Sequence, residues 1–283
     1  MLRITDNNLD TEIAARLKAR DECGHKGNFG TLTVVAGSAR YRGCAWFNCS
    51  GALRAGCGIV RLAATERVIS HITLPEVTFC PLSEDADGCA EDIPDAAFRS
   101  ADAVLFGSGL GTSPSTLSMM MKIPRSIPAV IDADGLNSTA VYGNPDLLSG
   151  RIITPHIGEF ARLANMDADT VAFNRDGCAK NFADRYGITV VLKDSVTVIA
   201  SPNRQTARVE IPNSGMAKGG SGDLLAGIIG SLLAQGYESH NAALLGVLLH
   251  CRAGLDARGK FGATSMLPSD TAQYICRNIS DQI

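Results

Sequence analysis

The segment Asn213–Gly227 reads NSGMAKGGSGDLLAG. Glycines crowd a short loop, one carboxylate follows at Asp223, and an apolar helix begins at once. Such a loop frees backbone N–H groups to face an anion, and the helix start adds partial positive charge. A carboxylate held beside a bound phosphate suits the deprotonation of a hydroxyl while phosphoryl groups sit in the anion hole.

Two further glycine-rich places lie at predicted strand ends. Gly24–Gly30 (GHKGNFG) precedes the first core strand, and Gly107–Gly111 (GSGLG) follows a later one. Each reads as a tight turn or as a ligand loop. GSGLG lacks the third glycine of a dinucleotide fingerprint, and no G-x-x-x-x-G-K-[ST] occurs, so the chain is not a P-loop protein. Asp132-Ala133-Asp134-Gly135 ends another strand; its carboxylates could order a magnesium shell through water or cap the next turn. Thr154–Glu159 (TPHIGE) ends the next. There His156 could bond a substrate, while Glu159 could serve a helix start. Lys193-Asp194-Ser195-Val196-Thr197 could meet a phosphate and line a nucleotide pocket, or form an ordinary turn. His71, His240 and His250 read as structural, and Trp46 and Phe47 as core.

These positions need a framework. Thr31–Ala36, Gly58–Ala63, Ala103–Phe106, Ala129–Asp132, Arg151–Thr154 and Ile188–Lys193 read as short buried strands. Helical patterns lie between them, near Cys44–Ala55, Thr116–Lys122, Gly158–Ala164 and Thr170–Tyr186. The alternation predicts an α/β fold with a mostly parallel sheet and helices on both faces. Val196–Ala200 and Ala207–Ile211 read as an antiparallel hairpin. Helices over Gly220–Gln235, His240–Arg258 and Ser269–Ser280 follow, with Gly236 as a C-cap glycine and Ser269 as an N-cap. Pro155 blocks extension of the strand before it. No linker or repeat divides the chain, which reads as one domain over residues 1–283.

A chain of 283 residues with 45% hydrophobic residues can bury a sizeable core. The net charge of -3 and the lack of a basic run argue against nucleic acid. The polar segment Met1–Asp10 is unlike a signal peptide, and no apolar run is long enough to span a bilayer. Nine cysteines without C-x-x-C or zinc spacing read as reduced thiols in a cytoplasm.

Taken together, HKGNFGTLTVVAGS, GALRAGCGIV, GSGLG, DADGLN, TPHIGEFARL, VVLKDSVTVIA and NSGMAKGGSGDLLAGIIGSLLAQG, in that order, resemble the NAD(P)H-hydrate dehydratase family, a branch of the ribokinase-like fold. The resemblance runs from about His25 to the last helix. It implies repair: water is removed from the (S)-hydrate of NADH or NADPH, coupled to hydrolysis of ADP or ATP with magnesium. Stand-alone bacterial members generally use ADP and eukaryotic ones ATP. The related bifunctional proteins carry an epimerase domain in front, so this chain resembles the stand-alone form.

The resemblance makes Asp223 the base on the hydrate's hydroxyl. It places Ala45, Gly109, Gly111 and His156 around the hydrate. Lys193, Asp194, Ser195, Val196, Thr197 and Gly222 fall on the nucleotide, and Gly219, Gly220, Ser221 and Gly222 form the anion hole. A homo-oligomer, for instance a tetramer, is also implied. Two residues depart from the family pattern. Lys218 replaces a threonine and could strengthen phosphate binding, and Asp194 replaces a glycine and adds negative charge near the nucleotide. Cys44 and Cys57 replace small residues. The rival readings are a small-molecule kinase of the same fold and a nucleotide-binding module without catalysis.

Overall fold

The computed structural model describes residues 1–275. Among them, short runs of β-branched and aliphatic residues form ten strands: β1 (Leu2–Ile4), β2 (Thr31–Val35), β3 (Ile59–Thr65), β4 (Val77–Leu82), β5 (Ala103–Phe106), β6 (Ala129–Ile131), β7 (Ile152–Ile153), β8 (Thr189–Leu192), β9 (Thr197–Ala200) and β10 (Ala207–Val209). They build one sheet in the order β1-β10-β9-β8-β7-β6-β5-β2-β3-β4. From β4 across to β8 every pairing is parallel. Strand β9 runs antiparallel to both neighbours, and β1 returns parallel to β10.

The helices are α1 (Leu9–Ala14), α2 (Gly43–Arg54), α3 (Glu66–Ile69), α4 (Pro114–Met121), α5 (Ala133–Tyr142), α6 (Ile157–Ala164), α7 (Ala168–Phe173), α8 (Arg175–Tyr186), α9 (Ser221–Ala234), α10 (Ser239–Ser265) and α11 (Pro268–Tyr274). Successive strand residues point to opposite faces, so the sheet feeds two cores. Leu32, Val34, Leu105 and Val191 pack with α2, α9 and α10 on one side. Val35, Val104, Phe106 and Val190 pack with α4, α5, α6 and α8 on the other.

The helix pair α2–α9 sits closest to the future site. Small residues let the two backbones approach: a methyl added at Gly51 would stand 2.5 Å from the Leu224 carbonyl oxygen, and one at Gly227 would press into that of Asn48. Asn48, fully buried, donates from Nδ2 to the Asp223 carbonyl at 2.8 Å. The start of α9 is thereby tied to the middle of α2. Gln235 and then Gly236, with φ +78°, end α9 as the sequence predicts.

Several local expectations are corrected. The patterns missed β1 and β4 at the sheet edges, where pairing with β10 and β3 rather than alternation decides the strand. The predicted Thr170–Tyr186 helix is two, because Asn174 ends α7 and caps α8 through Gly177 N. Ser269 does not cap α11: Leu267 is the N-cap, Pro268 opens the helix, and Asp270 accepts from Leu267 N at 2.8 Å. The predicted end of that helix at Ser280, and Cys276, lie outside the described residues. Among the described residues the cysteines are all free thiols, and no helix is long and apolar enough to cross a membrane.

Candidate active site

In an open parallel sheet the strands' carboxyl ends leave a crevice for ligands. Four of the singled-out segments converge there. GSGLG leaves β5, Asp132 follows β6, His156 follows β7, and Lys193 follows β8. His156 and Lys193 are themselves bridged in parallel. The Lys218–Asp223 loop arrives from the sequence-distant end of the chain and meets them.

Gly220 is the N-cap of α9, in the left-handed region at φ +101°. A side chain there would be strained and would also collide with the Phe47 ring. Phe47 itself packs partly against the core and meets Trp46 edge-on at 5.2 Å. Ser221 N donates to Lys218 O at 3.2 Å, and Leu224 N to Gly220 O at 3.0 Å. The intervening amides of Gly222 and Asp223 belong to the first helical turn, whose N–H groups have no intrahelical acceptor. Gly219 is open, with nothing within 4 Å of a side-chain position. Free amides at a helix start of this kind are suited to meeting an anion. Asp223 stands in its first turn.

Lys193 faces the same loop, its Nζ lying 3.3 Å from where a Gly222 side chain would begin. It also donates to Asp132 Oδ1 at 3.0 Å. Burial alone would lower its pKa. Asp132, Glu159 and Asp223 outweigh burial and raise it, so the ammonium stays charged. Asp132, 2% exposed, is the hub of the crevice. Its Oδ1 also accepts from Thr154 Oγ1 at 2.7 Å, and its Oδ2 from Ser108 Oγ at 3.2 Å. It makes no side-chain cap on α5, contrary to the turn-capping expectation. Asp134 instead accepts from Gly111 N at 2.9 Å and Thr112 Oγ1 at 3.2 Å, fixing the end of GSGLG.

Asp223 is the carboxylate whose chemistry changes most. Desolvation and the nearby Asp132 charge raise its pKa; Lys193 and a Ser108 hydrogen bond hold it down, and Glu159 adds to the rise. The result is about 6, against a usual 3.8. A carboxylate titrating there is a better proton acceptor near neutral pH than an exposed aspartate.

The other expected residues fall as follows. Ala45, fully buried, lies in the first turn of α2 beside Gly37. Gly109, at φ +66°, sits against Cys44, whose Sγ donates to Tyr41 O at 2.9 Å and Ser108 O at 3.2 Å. His156 is exposed and caps α6, its Nδ1 accepting from Gly158 N at 3.0 Å and Glu159 N at 3.3 Å. That leaves Nε2 as the ring's donor. Glu159 answers by accepting from His156 N at 2.9 Å, the helix-start role foreseen for it. Asp194 and Ser195 are exposed, and Thr197 and Val196 half-buried, on the rim after β8.

The two departures from the family pattern resolve locally. Lys218 is engaged away from the glycine loop; its Nζ donates to Thr264 O at 2.8 Å and Met266 O at 2.6 Å, at the end of α10. Asp194 does not present a free charge, because Arg175 pairs with it at 2.5 Å. Reasoning from sequence passed over Ser108 and Asn48. A serine between glycines and an asparagine inside an amphipathic helix carry no signal until the fold brings Asp223 to them.

No group of three or more His, Cys, Asp or Glu side chains is arranged to hold a metal ion among the described residues. Asp132, with both oxygens already accepting, does not offer a cage. Magnesium would therefore have to be held chiefly by nucleotide phosphates and water.

The chain is similar to known proteins along most of its length. The family model described as NAD(P)H-hydrate dehydratase matches residues 32–277. A bifunctional NAD(P)H-hydrate repair enzyme of Escherichia coli is 34% identical over 96% of this chain and 52% of its own length. An ADP-dependent (S)-NAD(P)H-hydrate dehydratase of Neisseria meningitidis is 37% identical over 82% of this chain and 79% of its own. The chain thus spans about half the length of most of these curated relatives. Among solved structures, an ADP/ATP-dependent NAD(P)H-hydrate dehydratase of Bacillus subtilis, co-crystallized with ATP/Mg2+, superposes with a TM-score of 0.81 at 27% identity, covering 96% of both chains. A ribokinase-like superfamily protein of Enterococcus faecalis reaches 0.84 at 20% identity, which shows the shared fold. With the family model matched along most of its length, the chain belongs to the NAD(P)H-hydrate dehydratase family.

Proposed function

We propose that the protein uses ADP or ATP to dehydrate the (S)-hydrate of NADH or NADPH, restoring the reduced coenzyme and releasing AMP or ADP with phosphate. The observation that carries this reading is Asp223 in the first turn of α9, directly after an open glycine loop and facing Lys193. In this reading Asp223 takes the proton of the hydrate's hydroxyl. The oxygen then accepts the nucleotide's terminal phosphoryl group and departs as phosphate, which leaves far more readily than hydroxide. As the phosphate leaves with the C–O bonding electrons, the adjacent ring carbon gives up a proton to solvent, and the nicotinamide ring regains its double bond.

Phosphoryl transfer asks the protein for positioning and charge neutralisation more than for covalent help. Gly219, Gly220, Ser221 and Gly222 receive the phosphates, and Lys193 supplies a fixed positive charge beside them. Lys193, Asp194, Ser195, Val196 and Thr197 border the nucleotide. Ala45, Gly109, Gly111 and His156, whose Nε2 donates, border the hydrate. Magnesium, when present on the nucleotide, supplies further neutralisation of phosphate charge. We read the chain as one domain that works as a homo-oligomer.

The kinase reading is weaker. A hydroxyethylthiazole kinase of Pyrococcus horikoshii shares the fold at a TM-score of 0.60 but only 14% of the sequence. The decisive assay supplies hydrated NADH or NADPH with ADP or ATP. Recovery of reduced-nicotinamide absorbance, phosphate release and no stable phosphorylated product support repair. A persistent phosphorylated alcohol supports a kinase, and nucleotide binding without turnover supports a binding module. Asp223→Asn should lower the rate by roughly 10²–10⁴. Equal rates for the two proteins would reject the assignment.

A further inference from the structure

We propose that Arg125 and Arg151 form a binding site for a small, doubly charged oxyanion of phosphate size, at the edge of the sheet away from the Asp223 crevice. The site is independent of the functional reading above. Arg151 directly precedes β7 and so stands at that strand's amino end, whereas the crevice opens at the carboxyl ends. Its backbone is pinned on both sides: Arg151 N donates to Leu148 O at 3.0 Å, and Thr189 N donates to Arg151 O at 3.0 Å. Its side chain borders a cavity of about 70 Å³ that Arg125, Met120, Met121, Ile123 and Leu147 also line. That volume holds several waters or one small oxyanion.

Arg151 is 7% exposed, and a buried charge ordinarily finds an opposite charge. This one finds neutral carbonyls: Nη1 donates to Ile127 O at 2.6 Å, and Nη2 to Ile123 O at 3.2 Å and Pro124 O at 3.4 Å. Arg125 Nη1 likewise donates to Ser149 O at 3.2 Å. No acidic side chain lines the cavity, and among the described residues neither guanidinium joins an ion pair. Two positive charges thus share one cavity with no carboxylate between them. Burial pushes Arg151 down to about 10, and Arg125 adds to the fall. Anchoring the connection between α4 and β6 would need Arg151 alone.

The carbonyls fix where both guanidiniums stand, so little ordering is left for a ligand to impose. Each guanidinium presents its N–H groups in a planar fork that matches two oxygens of a tetrahedral oxyanion. Two such forks match a dianion in charge, and the anion offsets the repulsion between them. The rest of the lining is apolar, which lowers the local dielectric and strengthens the pairing. The cavity is far smaller than the roughly 300 Å³ of a pocket for a nucleotide-sized molecule, so the ligand is the oxyanion alone. Arg125 and Met121 are exposed, which gives the anion a way in from solvent without opening the core.

The probe is inorganic phosphate, with sulfate and acetate as further arms and chloride holding the ionic strength constant. Carbon-13 in the methionine methyls reports where the anion binds by NMR. Met120 and Met121 line the cavity, while Met216 ends the turn Ser214–Met216 ahead of the glycine loop. Methionine-to-leucine variants assign the three signals. Phosphate and sulfate should shift Met120 and Met121 saturably, and acetate, with its single charge, should do so more weakly. Arg125→Ala should weaken phosphate binding there by at least about tenfold, the worth of one charge-assisted hydrogen bond, and Arg125→Lys by less. Arg125 is the residue to change because it is exposed, whereas removing Arg151 strips three carbonyls of their donor. Shifts confined to Met216, shifts that chloride reproduces, or equal phosphate affinity in wild type and Arg125→Ala would each overturn the proposal.

Discussion

Replacing Asp223 by asparagine should remove turnover while making the folded protein more stable at neutral pH, and the gain should vanish in acid. The argument is one of linkage. Asp223 titrates at about 6 in the folded chain against 3.8 ordinarily, chiefly because it is desolvated and faces Asp132. A carboxyl whose folded pKa is raised favours folding when protonated. That favour is complete below pH 3.8 and is lost as pH rises through 6. Above pH 7 the ionised group opposes folding. A displacement of about two pH units corresponds to about 3 kcal/mol, and partial solvent contact brings this to about 2–3 kcal/mol. Unfolding entropy near 2.1 cal/mol/K per residue gives roughly 0.6 kcal/mol/K for this chain, so Tm should rise by about 3–5 °C. Calorimetry of wild type and Asp223→Asn from pH 4 to 8 measures it. The two Tm curves should separate between pH 4 and 7 and run parallel above. Curves with a constant offset throughout would refute the reasoning, because Asp223 would then feel neither burial nor its acidic neighbour.

Three further outcomes follow from the same geometry. Gly227→Ala should separate α2 from α9 at Asn48, costing about 1–3 kcal/mol in denaturant unfolding and weakening catalysis with it; unchanged stability would mean the helices are not in backbone contact there. Lys218→Ala should leave nucleotide affinity within about threefold, measured calorimetrically, since its ammonium serves the carbonyls of Thr264 and Met266; a tenfold loss, worth about 1.4 kcal/mol, would restore a phosphate role. His250 is buried and its pKa is lowered from 6.5 to about 3 by desolvation, with Lys193 adding to the fall. Such a group supports folding above pH 6.5 and loses that support as pH drops, by roughly 2–3 kcal/mol at pH 4.5. His250→Gln should therefore flatten the acid side of the stability profile, and a profile as steep as wild type's would contradict it.

Much was legible in the residues alone. Alternating β-branched runs and amphipathic segments required a parallel sheet with helices on both sides, because buried strands can be covered no other way. The glycine loop before Asp223 required a helix to start there, since that property is local to a few consecutive residues. Gly236 marked the end of α9 for the same local reason. Tertiary structure decided whatever depended on distant partners. Asp132 became a hub only when β5, β7 and β8 brought Ser108, Thr154 and Lys193 to it. Lys218 turned from the glycine loop because the carbonyls of Thr264 and Met266 at the end of α10 accept its ammonium, and Asp194 was neutralised because Arg175 opens α8 beside it. Local backbone preferences act over a few residues and can be read in order; burial and electrostatics act through space, and only the folded chain fixes which groups share it.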